Sequence, residues 1–231
     1  MARLARLVVP GVPHHITQRG NRRQIVFFSD SDKSLYLKIL SETKAETGFS
    51  ILSYCLMNNH LHLIAIPETK DDFAEIFGET HRKYTTLVNL RESWKGHLWQ
   101  GRFGSCPMEE PHLYNAAKYV ERNPVRAGLV EKAEQYAWSS ARGHLGLWTD
   151  PLLARDCGAL IDFGNWRSYL AGKDDEKFVD DLKRHERTGR PFGPDDFLTR
   201  IEALTGRKIK KQKPGRKMGL PARLVGVNVT N

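Results

Sequence analysis

His60-Leu61-His62 places two imidazoles two residues apart in an apolar run, Cys55 to Leu56 before it and Leu63 to Ile66 after. On a strand, alternate side chains share a face, so His60 and His62 point the same way, ~7 Å apart along the chain. Two neutral nitrogens so placed can converge on one divalent ion and leave positions open for phosphate oxygens, given a third ligand from elsewhere. Taken alone, the motif is short and common, and it fits two ordinary histidines on a solvent-facing strand edge better than a metal site. Tyr119 and Asn123 form a second pair, four apart in a stretch with helical spacing, and therefore on one helix face. A tyrosine hydroxyl, with a pKa near 10, attacks a phosphodiester poorly unless a metal neutralises charge at the phosphate. The Asn123 carboxamide, one turn along, offers an oxygen as third ligand. Alone, this pair fits a packing tyrosine and a helix-end cap before Pro124.

The surrounding pattern supplies elements to hold these groups. His15 to Thr17 and Gln24 to Phe28 read as a strand pair around Arg19-Gly20-Asn21-Arg22-Arg23. Ser29 and Asp30 or Asp32 cap a helix carrying Leu35, Ile39 and Leu40, with Gly48 as its stop. Phe49 to Leu56 and His60 to Ile66, joined by Met57-Asn58-Asn59, make a hairpin. Phe73, Ile76, Phe77, Tyr84, Leu87 and Val88 give a helix over 71–89. Residues 97–109 read as extended. A helix from Pro111 to Asn123 buries Leu113, Ala116, Ala117 and Val120, and Pro124 ends it. The order strand–helix–strand–strand–helix–strand predicts an α+β fold: a ferredoxin-like antiparallel sheet with helices on one face. Weaker helical patterns over 159–171 and 174–187, and a better one over 195–206, suggest a helical appendage spanning 150–206 after a main domain of 1–149. A basic, mostly disordered tail is expected over 207–231.

Composition narrows the partners. The chain has 231 residues and a formal net charge of +9. Eight of its basic residues, Lys208, Lys210 and Lys211 among them, lie from Arg207 onward, where no acidic residue occurs. A polyanionic partner is implied, with the tail as a phosphate-binding arm. Arg19, Arg22 and Arg23 in the first turn, and Arg82 with Lys83 on the second helix, are further candidates to grip phosphates, against ordinary solvated charge as the plainer account. Gln100 and Arg102 are also candidate DNA contacts. Flanking them, Trp99 and Phe103 suit the core better than base stacking. Cys55, Cys106 and Cys157 form no paired motif, so reduced, buried thiols are expected. No apolar run reaches membrane length and no secretory leader is evident, so a cytoplasmic protein is expected.

Three runs in order, Cys55 to Ile64, Leu98-Trp99-Gln100-Gly101-Arg102-Phe103, and Tyr119-Val120-Glu121-Arg122-Asn123-Pro124 to Val130, resemble the REP-associated tyrosine transposases. These are single-tyrosine relatives of the HUH endonucleases, where U is a hydrophobic residue. Pro13-His14-His15-Ile16-Thr17-Gln18-Arg19-Gly20-Asn21 resembles the family's opening strand, and the similarity covers about residues 8–143. The resemblance implies that His60 and His62 hold a divalent cation, Mg2+ or Mn2+, with Asn123 as a third ligand. It implies Tyr119 as the nucleophile that forms a 5′-phosphotyrosine bond and frees a 3′-OH. It further implies palindromic hairpin DNA as partner, a nucleoid-associated bacterial setting, and a monomer or homodimer. Only one of His14 and His15 can face the His60–His62 side, and neither is placed in the metal set. A domesticated hairpin-binding protein with weak or no cleavage is the alternative. A metal-dependent hydrolase of small phosphoesters is a third reading, which the basic tail disfavours.

Overall fold

In a computed structural model of the chain, residues 6–45, 49–154 and 164–210 are described. Four strands make one sheet: β1 (His14–Arg19), β2 (Ser50–Met57), β3 (His60–Ile66) and β4 (Gly104–Pro107). They lie in the order β2-β3-β1-β4 and all pair antiparallel. Helices α1 (Asp30–Ala45) and α2 (Asp72–Glu92) follow β1 and β3, which gives the expected ferredoxin-like α+β arrangement. Beyond β4 come α3 (Leu113–Glu121), α4 (Asn123–Arg126), α5 (Ala141–His144), α6 (Trp166–Ala171), α7 (Glu176–Thr188) and α8 (Asp195–Thr205).

Both faces of the sheet are apolar, and helices therefore cover both. Under α1 and α2, Ile16, Leu61, Leu63 and Tyr54 meet Tyr36, Phe73, Phe77 and Tyr84 in one core. On the other face Cys55, Ile64 and Cys106 meet Leu113, Ala116, Ala117 and Val120 of α3. The two long helices share one face as expected, whereas α3 takes the opposite one. This second core continues into the C-terminal region through Trp166, Leu170, Phe178, Leu182 and Phe192. A third, smaller cluster joins Leu7 and Val9 to Phe197, Ile201 and Ile209.

Several local expectations give way to tertiary demands. Gln24 to Phe28 is not a strand: the Val26 and Phe27 amides both donate to the Asn58 carbonyl, so the segment crosses the tip of the β2–β3 hairpin. Both edges of β3 are already taken, by β2 and β1, which leaves that run no ladder to join. Of the extended stretch at 97–109 only Gly104–Pro107 pairs as a strand, with an isolated bridge from Trp99 to Gly20. Trp99 and Phe103 enter the core. The tyrosine helix stops at Glu121 rather than at Asn123, and Pro124 sits in the first turn of a new helix, α4. Proline lacks only an amide that a first turn leaves unpaired anyway. Gly48, Cys157, residues 159–163 and the tail beyond Lys210 lie outside the described residues.

Gly20 fixes the junction where β1 meets the hairpin tip. Its amide donates to Asn59, and a Cβ there would come within 2.3 Å of the Gln24 carbonyl oxygen and 2.7 Å of Val26 Cγ1. Gly20→Ala is therefore expected to cost about 1–3 kcal/mol, as overpacking against backbone does. A urea midpoint equal to that of the parent chain would refute this close approach.

Candidate active site

The β1–β3 ladder sets the site. Thr17 stands opposite His62 and Arg19 opposite His60, so His15, Thr17, Arg19, His60 and His62 share the face that α3 covers. His14, displaced by one residue, turns to the other face and is consumed there: its Nδ1 lies 2.7 Å from the Val12 carbonyl and its Nε2 accepts from the Val9 amide. His15, left out of the metal set by sequence, is brought directly onto it. Its Nε2 lies 2.9 Å from His62 Nδ1, with the two rings stacked at 4°. Among the described residues, its Nδ1 has no hydrogen-bond partner.

Tyr119 reaches these histidines from α3. Its ring centroid lies 5.6 Å from His62 and 5.9 Å from His15, edge to face with both. Arg126, on α4, stacks its guanidinium 4.1 Å from the Tyr119 ring centre and donates to the Tyr119 carbonyl at 2.9 Å. The break at Arg122 allows this, because it turns α4 back towards the ring. Asn123 donates its amide to the Tyr119 and Val120 carbonyls, both at 3.3 Å. Its Nδ2 is thus spent on closing α3, and its oxygen is the atom left for other partners.

Two adjoining clefts meet at His60, His62 and Glu186. One contains Gln100 and Arg102 and the other Tyr119, Asn123 and Arg23; Arg19 borders both. Arg22, Arg82, Lys83, Lys208 and Lys210 border neither cleft. Arg82 and Lys83 are engaged with Glu79 at 2.7 and 3.4 Å. Lys211 lies outside the described residues. Glu186, Arg126 and His15 are the site residues that sequence reasoning passed over. A signal existed for the first: Phe178, Val179 and Leu182 form the buried stripe of α7, and Glu186 is one turn further along it.

Burial dominates the electrostatics. It holds His15 down at about 3 and His60 at about 4, and His62 well below the ordinary imidazole value. All three are therefore neutral at pH 7, with lone pairs available for a cation. Burial also pushes the Tyr119 hydroxyl up to about 12, with Glu186 adding to the rise and Arg126 opposing it. Elsewhere, burial holds His14 and His81 down at about 4 and 3.

Such histidines make stability depend on pH. In the unfolded chain they take up protons near 6.5, but in the fold they resist down to 3 or 4. Between those values the unfolded chain binds more protons, so stability is complete above 6.5 and is lost as pH falls. The urea midpoint is expected to hold steady above about pH 7 and to decline steeply from about pH 6.5 towards 4. A midpoint flat across that range would contradict the buried neutral state.

A sheet with a His-hydrophobic-His strand, faced by a tyrosine on a neighbouring helix, matches a known class. Residues 9–123 match the family described as Transposase IS200 like, and this stretch is a transposase domain of that family. Among curated sequences, a Haemophilus influenzae protein (strain Rd) with the description "Putative REP-associated tyrosine transposase" is 25% identical over 103 residues. That match takes in 40% of this chain and spans 58% of the relative's length. Among solved structures, a REP-associated tyrosine transposase bound to a REP hairpin superposes with a TM-score of 0.55 at 22% identity, over 68% of this chain and 93% of that one. The shared fold is the four-stranded sheet with its helices. Among the described residues, no helix is long and apolar enough to cross a membrane.

Proposed function

We propose that the chain is a single-tyrosine DNA transposase that cleaves and rejoins single-stranded DNA at palindromic hairpins. The observation that carries this is the packing of Tyr119 against His62 and His15, on a face whose imidazoles are held neutral. A tyrosine that served only the core would need no cleft lined by Arg19, Arg23 and two histidines. The hairpin partner is carried over from the structural neighbour, which binds a REP hairpin.

The residues fit a divalent cation: neutral imidazole nitrogens, a carboxylate nearby, and a buried His15 nitrogen without a partner among the described residues. His60 and His62 would hold it, with the Asn123 oxygen as a further ligand. When bound, Mg2+ or Mn2+ supplies Lewis-acid neutralisation of charge on the scissile phosphate. The protein's own groups do the rest. Arg19, Arg23 and Arg102 border the clefts and anchor flanking phosphates. Tyr119 Oη attacks phosphorus, the bond to the 3′ oxygen breaks, and the tyrosyl proton is replaced by phosphorus while the departing 3′ oxygen gains a proton. The 5′-phosphotyrosine keeps the bond energy, so a 3′-OH can reverse the step on a second strand. Because the hydroxyl sits near 12, its proton has to leave as the new bond forms. Arg126, stacked on the ring, favours the developing negative charge.

The test is incubation of the chain with labelled hairpin DNA and Mn2+, followed by a denaturing gel. A protein–DNA adduct that chelator prevents is the expected result. Tight binding with no adduct, over a range of hairpins and cations, would leave a DNA-binding protein without cleavage.

A further inference from the structure

The buried stripe of α7 ends in a carboxylate. Phe178, Val179 and Leu182 enter the core over α3, and Glu186 follows one turn later, where the stripe reaches the β1–β3 ladder. There the Thr17 hydroxyl donates to it. One ligand atom each from Glu186, His15 and His62 all lie within 4.8 Å of one another. Glu186 also borders both clefts that meet at His60 and His62.

Glu186 is half-buried where it meets the clefts, and a carboxylate drawn partly out of water is held best where cations compensate it. Arg19, Lys183 and Arg187 favour the charged carboxylate, but desolvation outweighs them and leaves its pKa raised. The imidazoles are neutral, and the His15 Nδ1 has no partner among the described residues. A divalent cation among the three side chains would satisfy all of them at once. Oxygen ligands also suit the hard ions Mg2+ and Mn2+ better than imidazole pairs do.

We propose that Glu186 completes the cation site, adding a carboxylate oxygen from the C-terminal region to the imidazole nitrogens of the sheet. The inference rests on the cation in the function proposed above. It makes the region after residue 150 part of the active centre, which no strand or helix of the family-matched segment 9–123 supplies.

Mn2+ affinity of the full-length chain, read from the loss of the free-ion signal in electron paramagnetic resonance, tests it without DNA. Wild type, Glu186→Gln, His62→Ala and Glu176→Gln are compared; Glu176 lies exposed in the first turn of the same helix. The expected result is equal binding by wild type and Glu176→Gln, and binding weaker by about tenfold or more in Glu186→Gln and His62→Ala. If Glu186→Gln lowers the urea midpoint, Glu186→Asp takes its place: it keeps the oxygens but draws them back by a methylene, and an intermediate loss is expected. Glu186→Gln binding Mn2+ as wild type does, while His62→Ala fails, overturns the role of Glu186 and leaves the cation intact. Unchanged Mn2+ affinity with tighter hairpin binding likewise overturns it and makes Glu186 an electrostatic obstacle to phosphate. A wild-type chain that binds no Mn2+ removes both the cation and this ligand.

Discussion

Tyr119→Phe is expected to abolish the covalent adduct and to slow strand cleavage by roughly four orders of magnitude or more, as loss of a nucleophile does elsewhere. Folding should be nearly indifferent. The ring keeps its edge-to-face contacts with His15 and His62 and its stacking under Arg126, none of which involves the hydroxyl. One hydrogen bond is removed, worth about 1 kcal/mol. The pairing of a large kinetic effect with a small shift in urea midpoint separates a nucleophile from a packing residue. Cleavage that survives the substitution, still needing a cation and leaving no adduct, would instead assign attack to water.

The largest effect on stability is expected two residues away. Glu121 is fully buried between the sheet and α6. Its Oε1 accepts from the Ser140 hydroxyl and from His144 Nδ1, each at 2.5 Å, and its Oε2 accepts from Trp166 Nε1 at 2.7 Å. Glu121→Ala removes the acceptor these donors share and opens a void beside Trp166. A loss of about 3–5 kcal/mol in unfolding free energy is expected, because the void adds to three buried donors left without their acceptor. Glu121→Gln keeps the shape and some of the acceptor capacity, and should cost less. Equilibrium urea denaturation measures both. A loss under about 1 kcal/mol for the alanine variant would show that Ser140, His144 and Trp166 do not depend on this carboxylate.

The parts of this architecture legible in sequence are those with a short physical period. Alternation over 60–66 placed His60 and His62 on one face, and the Asn58-Asn59 turn fixed the hairpin. Helical spacing placed Tyr119 and Asn123 together above Leu113, Ala116, Ala117 and Val120. Gln24 to Phe28 carried a strand-like composition too, but strand formation needs an open edge, and no local pattern reports that both edges of β3 are occupied. The break at Arg122 was hidden for a related reason. A proline after a helical stretch reads as the terminator of the helix before it, whereas here it starts the helix after it. Arg126 could not be placed until that turn was known. A dipeptide of histidines does not say which member faces inward; the register of His15 with Ile64 and Cys106 decides it. Glu186 was the most distant miss, lying in a helix with no motif, though an acidic residue in line with Phe178 and Leu182 was visible.

The core shared by α3 and residues 166–192 also has a bearing on the order in which the chain is made. A ribosome delivers β1 and β3, with their histidines, long before it delivers Trp166, Phe178, Leu182 and Phe192. Until those residues emerge, the outer side of the tyrosine helix has no cover, and Glu121 has no Trp166 to accept from. Domains close during synthesis as their contacts become available. A nascent chain would therefore carry the strands before the tyrosine helix is fully held against them, and the proposed site would close only once most of the polypeptide had left the tunnel.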